Sequence, residues 1–148
     1  MAEFALESSA FENAQAIPAR FSCEGEDVSP PLRWSNVPEG TRSLALVADD
    51  PDAPGRVFTH WLGWGLDPAG EGLGEGESAP NEGENDFGGK GYRGPCPPPG
   101  RGRHRYVFRL YALDAELELA SGAAKAELEQ AIKGHVLTTA ELVGTYER

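Results

Sequence analysis

The stretch SLALVADDPDAPGRVFTHWLGWGL, residues 43–66, decides the fold because it holds two strand patterns on either side of a turn. Residues 43–48 are apolar at both odd and even positions, which predicts a strand covered on both faces. Residues 49–55 contain two prolines and a glycine, which restrict the backbone and predict a defined turn. Residues 56–66 alternate and predict a second strand, which carries on one face the side chains of Phe58, His60, Leu62 and Trp64.

Further strand patterns lie on both sides of this stretch. Residues 104–113 alternate in the same way and place on one face His104, Tyr106, Phe108 and Leu110. Shorter strands are expected at residues 4–6, 20–23, 32–34 and 141–146. One amphipathic helix is predicted over residues 123–133, with Ser121 as its cap, Gly134 at its end and a buried stripe of Ala124, Leu128, Ala131, Ile132 and His135. Strands dominate, which favours a mostly-β or α+β sandwich.

Length, charge and cysteine content set the class of protein. The 148 residues fit a single domain, residues 1–148, and the net charge of −11 argues against a nucleic-acid-binding surface and against long-range attraction to anionic membranes. No apolar run approaches about 18 residues, and the N-terminus lacks a basic segment followed by an apolar run, so neither a membrane span nor a signal peptide is expected.

Two cysteines are too few for a disulfide scaffold and fit a reducing compartment, so the cytoplasm is the expected location. Whether Cys23 and Cys96 pair stays open.

Residues 70–91 differ in composition from the rest of the chain. They hold eight glycines, six acidic residues and one basic residue. This pattern predicts a long, solvated and mobile surface loop. Its simplest role is that of a connector, and the alternative is a protein-interaction module that uses the acidic loop.

Two histidines are candidates for ligand binding. His60 and His104 each lie on a strand beside a proline-rich loop, and Tyr106 shares the face of His104 because it lies two residues further along the strand. Imidazole N–H and phenol O–H groups donate hydrogen bonds to phosphate or carboxylate oxygens. Asp50 and Asp52 could orient the imidazoles, contact a cationic or hydroxyl group of a ligand, or only cap the turn. The third histidine, on the predicted helix stripe, fits a hydrogen-bonded core residue.

Catalytic patterns are weak in this sequence. A hydrolase that uses His104 with Asp50 is the alternative function, but the chain has no Gly-x-Ser-x-Gly elbow, and no helix follows Cys96 to lower the pKa of its thiol. It has no phosphate-binding Gly-Lys-Ser/Thr loop, and its cysteines and histidines lack the close pairing of zinc ligands. We therefore expect no enzymatic activity, no cofactor and no metal.

Several motifs together resemble the phosphatidylethanolamine-binding (Raf kinase inhibitor-like) protein family, in its short bacterial and archaeal branch. They occur in the family's order and cover nearly the whole chain. The motifs are Cys23-Glu24-Gly25-Glu26-Asp27-Val28-Ser29-Pro30-Pro31-Leu32, Asp50-Pro51-Asp52-Ala53-Pro54, His60-Trp61, Gly94-Pro95-Cys96-Pro97-Pro98, His104-Arg105-Tyr106 and Lys133-Gly134-His135-Val136-Leu137.

The resemblance implies a sandwich of two antiparallel sheets with one or two peripheral helices. It also implies a pocket for phosphate-like or carboxylate anions and phospholipid head groups, lined by Asp50, Asp52, Pro54, His60, Cys96, Pro97, His104 and Tyr106. A regulatory role with a protein partner, a kinase or a protease, is a further implication. Animal members carry an additional C-terminal helix used in kinase regulation, whereas this chain stops at Arg148, so kinase inhibition is not expected. The missing peripheral helices leave apolar sheet surface, which favours a homodimer.

Overall fold

The computed structural model describes residues 3–148. Within these residues the chain forms nine strands, one α-helix and one short 3-10 helix. They are β1 (Ala5–Glu7), β2 (Gln15–Ala16), the 3-10 helix (Ala19–Phe21), β3 (Leu32–Ser35), β4 (Ser43–Asp50), β5 (Phe58–Leu66), β6 (Gly72–Leu73), β7 (Asn81–Glu82), β8 (His104–Leu113), α1 (Lys125–Ile132) and β9 (Val136–Tyr146).

The strands form two sheets, which confirms the predicted sandwich. The larger sheet has the order β2-β9-β8-β4-β5-β7, and the smaller has the order β1-β3-β6. All pairings are antiparallel except the short one between β2 and β9, which is parallel. Strand β4 lies in the middle of the larger sheet, between β5 and β8, as expected for a run that is apolar on both faces.

Two apolar clusters cover the two faces of β4. The first fills the space between the sheets, where Leu46 of β4 packs with side chains such as Trp34 of β3 and Phe108 of β8. The second lies on the outer face of the larger sheet, where Val47 packs under Leu128 of α1. The larger sheet is therefore buried on both sides around β4, and this holds the ends of β4, β5 and β8 in fixed positions.

The face assignment of β5 is partly wrong. The pairing shifts register between Ala48 and Asp49, so that Asp49 lies opposite Thr59 while Ala48 lies opposite Trp61, and His60 is the additional residue of a β-bulge. Leu62 and Trp64 consequently turn to the outer cluster instead of sharing the face of His60. The strict alternation that the sequence suggests cannot reveal a bulge, because a bulge changes the strand's register without changing its composition. The face assignment of β8 holds: His104, Tyr106, Phe108 and Leu110 are all buried on the inner side.

The helix is confirmed, but its cap and its last buried residue are not those expected. The Ser121 hydroxyl donates to the backbone oxygen of Glu82 instead of capping α1. The carboxylate of Glu127 accepts the N–H of Ala124 at 3.0 Å and closes the N-terminal turn. His135 is exposed, and its Nδ1 lies 2.8 Å from the carboxylate of Asp114, because the chain has already left the helix and turned towards β9.

Two strand assignments differ from the structure. Residues 19–21 form the 3-10 helix instead of a strand, since both the backbone N–H and the hydroxyl of Ser22 donate to the Ala19 oxygen. Strand β9 begins at Val136, five residues before the expected start. Residues 136–139 pair with β8 through their backbones while their side chains stay exposed, so they lack the burial pattern from which a strand is predicted.

Residues 70–91 are mostly exposed, as their composition predicts, but they are not irregular throughout. They contribute β6 and β7 and a further bridge between Glu84 and Lys90. The Glu82 carboxylate accepts the indole N–H of Trp61 at 2.8 Å, and the Asn85 side chain is only 2% exposed. The segment folds onto the edge of the larger sheet because its glycines allow close approach: a Cβ at Gly83 would lie 2.6 Å from the Ala123 oxygen.

Cys23 and Cys96 form a disulfide that closes a loop of 73 residues. The pairing that the sequence left open is therefore a disulfide, and this bond argues against the reducing compartment that was inferred from the number of cysteines. Across the described part of the chain, no helix has the length and apolar character needed to cross a bilayer.

Candidate functional site

A cavity of about 420 Å³ opens at the end of the sandwich where β4 ends and β5 and β8 begin. It is lined by Asp50, Ala53, Pro54, Arg56, Phe58, His60, Phe87, Cys96, Pro97, Pro98, His104 and Tyr106. Seven of the eight residues expected in the pocket line it, and only Asp52 does not. A larger depression of about 650 Å³ lies beside Phe4 and Thr138, but the only ionisable side chains on its walls are Glu3 and Glu39. Titratable and aromatic side chains meet in the smaller cavity, which makes it the candidate site.

His104 and Asp50 form a buried pair in the cavity wall. The His104 Nδ1 lies 2.7 Å from the Asp50 carboxylate, and both side chains are less than 10% exposed. The other oxygen of Asp50 accepts the backbone N–H of Asp52 at 2.8 Å. Asp50 thus does both things that the sequence left as alternatives, since it orients an imidazole and caps the turn after β4. A carboxylate on Nδ1 leaves the Nε2 of His104 for a ligand.

His60 reaches the same cavity from the β5 bulge. Its Nδ1 lies 2.8 Å from the backbone oxygen of Arg93, and a carbonyl oxygen only accepts, so Nδ1 carries the proton in the neutral ring. The ring is surrounded by the rings of Phe58, Phe87 and Tyr106, with centroids 5.2 to 5.4 Å away. Burial lowers the pKa of His60 below its ordinary value, against the opposing effects of its hydrogen bond and of nearby carboxylates such as Asp50. The ring is therefore neutral at pH 7.

Tyr106 contributes a buried hydroxyl to the wall of the cavity. The hydroxyl makes no hydrogen bond of regular geometry, although the Asp50 carboxylate lies near enough to interact with it. Burial, and after it the charge of Asp50, raise the pKa of Tyr106 far above its ordinary value. The group is a permanent O–H donor, and a ligand oxygen in the cavity would satisfy it.

Asp52 lies outside the cavity, which corrects its assignment as a pocket residue. Its carboxylate accepts from the Nε and Nη2 of Arg105 and from the Arg105 backbone N–H, all at 2.8 to 2.9 Å. The hydrogen bonds from Arg105 are the main cause that lowers the pKa of Asp52 to about 2. Asp50 and Asp52 are two residues apart and lie together at the turn, as the sequence predicts. The ion pair with Arg105 of β8, however, turns the Asp52 carboxylate away from the cavity.

Cys96 and Pro97 form the wall opposite the turn, in a loop that is fastened at several points. Cys96 is bonded to Cys23, and the Cys23 N–H donates to the Pro95 oxygen at 3.0 Å. The Gly94 N–H donates to Asp27, and a side chain at Gly94 would collide with the Phe21 backbone, so only glycine fits there. The Arg148 Nε donates to the Pro97 oxygen at 2.7 Å.

Three important lining residues were missed from the sequence. Phe58 is the first residue of β5 and Arg56 precedes the strand, and the Arg56 guanidinium lies 5.6 Å from the centre of the Phe58 ring. Phe87 comes from the segment taken for a mobile loop, and Arg93 covers its ring at 5.0 Å. Asn85 fixes this turn, because its side-chain oxygen accepts from the N–H groups of Phe87 and Gly89. The sequence does contain an indication of this turn, in Asn85-Asp86-Phe87-Gly88-Gly89. An Asn followed closely by glycines is typical of a turn that is capped by the Asn side chain.

Comparisons with known proteins find relatives that match almost the whole chain. A family model described as phosphatidylethanolamine-binding protein matches residues 7–147. A UPF0098 protein of Pyrococcus abyssi is 48% identical over 95% of this chain and 84% of its own length. LppC of Mycobacterium tuberculosis, by its name a candidate lipoprotein, is 43% identical over 96% of this chain and 71% of its own.

Two solved structures share the fold over almost their whole length. A homologue of phosphatidylethanolamine-binding proteins from Chlamydia trachomatis has a TM-score of 0.94 and 40% identity, and it covers 100% of this chain and 99% of its own. YbcL of Escherichia coli, described as a new member of the mammalian family of such proteins, has a TM-score of 0.92 and 32% identity, with 99% of each chain covered.

Proposed function

The chain belongs to the phosphatidylethanolamine-binding protein family, and on this premise we propose that it binds a small anion in the cavity between β4, β5 and β8. The anion is a phosphate-like or carboxylate group, either free or as a phospholipid head group. Binding there serves a regulatory role with a protein partner such as a kinase or a protease, as the Raf kinase inhibitor-like resemblance implies; direct inhibition of a kinase is not part of the proposal.

The observation that carries this proposal is the buried His104–Asp50 pair beside the unpartnered hydroxyl of Tyr106. A buried polar group without a hydrogen bond costs about 1–3 kcal/mol, and such groups occur where a ligand satisfies them. The Nε2 of a protonated His104 donates to an anion in the cavity that the Tyr106 side chain also lines, and the Arg56 guanidinium at the rim adds a favourable charge.

Titration calorimetry with phosphate, phosphoethanolamine and acetate tests the proposal. His104→Ala removes one charge-assisted hydrogen bond, which costs about 1.5–3 kcal/mol or roughly ten- to a hundredfold in affinity. The matched control is His135→Ala, because His135 also holds a carboxylate on Nδ1, at 2.8 Å, but lies exposed on the surface. Wild-type affinity in both His104→Ala and His60→Ala would place the anion site elsewhere.

We propose binding without turnover. The residues that line the cavity include neither serine nor threonine, and Cys96 is held in a disulfide, so the set lacks a nucleophile of the serine or cysteine hydrolase kind. The His104–Asp50 pair could still activate a water, which keeps a hydrolase as the alternative. A screen of phosphoesters and carboxylic esters against wild type and His104→Ala separates the two: hydrolysis that depends on His104 would establish the enzyme.

The acidic segment 70–91 is better explained by the cavity than by a separate interaction surface. It supplies Phe87 to the cavity wall, and its Glu82 is bonded to the Trp61 indole in the sheet. The glycines of this segment are therefore explained by its close packing on the edge of the larger sheet. Deleting the segment would damage the pocket, so a role in partner binding is tested instead by charge reversal at the exposed Glu71 and Glu75 in a pull-down.

The cellular compartment stays a prediction. The proposed compartment is the cytoplasm, whereas a disulfide is typical of oxidising compartments and LppC is by its name a candidate lipoprotein. Thiol trapping in intact cells, with separate cytoplasmic and envelope fractions, decides between them. A trapped Cys23–Cys96 disulfide in the envelope fraction would contradict the cytoplasmic prediction.

A further inference from the structure

The disulfide between Cys23 and Cys96 lies in the wall of the cavity and outside the apolar core. Cys96 lines the cavity, and both cysteines are half-buried. The bond joins two segments that are 73 residues apart in sequence. A thiol from solvent reaches a partly exposed disulfide of this kind more easily than one enclosed by the core, and partly exposed disulfides are the ones that reductants open in folded proteins.

The chain that precedes Cys96 is held without help from the disulfide. The Tyr92 hydroxyl donates to the Phe21 oxygen at 2.7 Å, and the Asp27 carboxylate accepts the N–H of Gly94 at 2.8 Å. These hydrogen bonds join the same two segments as the disulfide does. Reduction of the disulfide therefore leaves this part of the chain attached to the segment after the 3-10 helix.

The chain that follows the disulfide is held less firmly. We call residues 96–103 the wall loop, because its Pro97 and Pro98 line the cavity. Among residues 3–148, the hydrogen bonds of the wall loop to other parts of the chain all go to the exposed Arg148, from which the Pro97 oxygen accepts and to which the Gly100 N–H donates. The disulfide thus lies at the boundary between a firmly held segment and a weakly held one.

We propose that this disulfide is a redox switch, which fixes the wall loop while the bond is intact and releases the loop when the bond is reduced. A dithiol reductant supplies two electrons: its thiolate attacks one sulfur, the Cys23–Cys96 bond breaks, and its second thiol closes the reductant's own disulfide. The reductant's two protons pass to the thiols of Cys23 and Cys96. Release of the loop lowers the affinity of the cavity for an anion, since the loop must be ordered again when a ligand binds. This last consequence rests on the proposed function.

Reduction of the native protein is the first test. Dithiothreitol, a dithiol, should open the disulfide without denaturant, and oxidised dithiothreitol should restore it. Alkylation of the thiols followed by mass spectrometry counts the reduced cysteines. Far-ultraviolet circular dichroism should stay the same, because the sheets do not depend on the bond. A disulfide that dithiothreitol reduces only in urea would overturn the proposal.

Trypsin cleavage reports release of the wall loop without any anion. Arg101 and Arg103 are exposed cleavage sites within the loop, and Lys133, exposed after α1, is the internal control. Cleavage of a folded protein requires local opening, so reduction should raise the rate at Arg101 and Arg103, relative to the rate at Lys133, by roughly tenfold. Global unfolding accelerates cleavage at all three sites and therefore cancels in the ratio. An unchanged ratio would overturn the proposal.

Titration calorimetry with inorganic phosphate measures the consequence for binding. The reduced protein and the double variant Cys23→Ser, Cys96→Ser should both bind about tenfold more weakly than the oxidised protein, as expected if the released loop is in place about a tenth of the time. Leu128→Ala is the matched control, because it destabilises the fold from the outer face of the larger sheet and should bind phosphate like wild type. Dithiothreitol should leave the affinity of the double variant unchanged.

The two readouts separate the switch from the anion site. Faster cleavage in the wall loop together with weaker phosphate binding supports both. Faster cleavage with no phosphate binding in either redox form supports the switch and overturns the anion site. Unchanged cleavage with equal phosphate affinity in the two redox forms overturns the switch and leaves the anion site standing.

Discussion

The hydroxyl of Tyr106 is the residue-scale feature that separates stability from function in this protein. It is buried without a partner in the free protein, although it lies within a cavity that contains a carboxylate and two imidazoles. A group of this kind lowers the stability of the free state and becomes favourable only when a ligand accepts from it. The same atom should therefore affect folding and binding in opposite directions.

Tyr106→Phe tests that expectation. We expect the free protein to gain about 1 kcal/mol in its free energy of unfolding, because an unsatisfied buried hydroxyl is removed. Phosphate affinity should fall about tenfold through loss of one hydrogen bond. Urea unfolding and calorimetry measure the two effects. Tyr111→Phe, on the opposite face of β8, is the control for affinity, and a loss of stability in Tyr106→Phe would contradict the assignment.

The buried ring of His60 makes stability depend on pH. Its pKa is lowered in the folded protein, chiefly by burial, so as pH falls below the ordinary histidine value of about 6.5 the unfolded chain takes up a proton that the folded chain does not. Stability should therefore be fully present above that value and decrease as pH falls through it. Urea unfolding at pH 7.5 and 5.0 should show a smaller loss in His60→Phe than in wild type. Equal losses would show that His60 is not the group responsible.

At the scale of elements, the walls of the cavity are irregular segments fastened to regular strands. The disulfide joins the loop containing Cys96 to the segment after the 3-10 helix, and it closes 73 residues of chain. Loop-closure entropy for that length corresponds to about 4 kcal/mol. The double variant Cys23→Ser, Cys96→Ser should lose a stability of that order, and wild type treated with reductant should lose the same. A loss below about 1 kcal/mol in both would contradict a structural disulfide.

The turn that carries Phe87 is the second such element. The Asn85 side chain accepts from two backbone N–H groups and donates to the Gly91 oxygen at 2.9 Å, and it is almost fully buried. Asn85→Ala should cost about 2–3 kcal/mol because it leaves buried backbone groups unpaired. It should also weaken phosphate binding by displacing Phe87 from His60. Phe87→Ala keeps the turn, so it should weaken phosphate binding with a smaller loss of stability than Asn85→Ala. Chemical denaturation compares the stability of the two variants, and calorimetry compares their affinity for phosphate.

At the scale of the whole molecule, strand β9 leaves an open edge. Strand β2 pairs only with residues 144 and 145, and Val136 and Leu137, at the start of β9, are 41% and 45% exposed. A long edge strand with exposed apolar side chains favours pairing with another chain. We therefore predict a homodimer, measured by light scattering, and expect Leu137→Lys to shift it towards monomer. A monomer mass for wild type at high concentration would contradict this prediction.

The principal strands, the helix and the three segments that supply the cavity were all predictable from the sequence. Residues 43–48 and 104–113 could be assigned because apolar periodicity is a local property, and His60, His104 and Tyr106 could be grouped because each occurs beside a proline-rich turn within a family motif. Only the tertiary structure decided which aspartate faces the cavity, since Asp52 turns away to meet Arg105 on another strand. It alone placed Phe87 in the wall, paired Cys23 with Cys96 and turned Leu62 and Trp64 outward through the bulge at His60. Each of these depends on contacts between residues far apart in the chain, and neither local composition nor periodicity reports on such contacts.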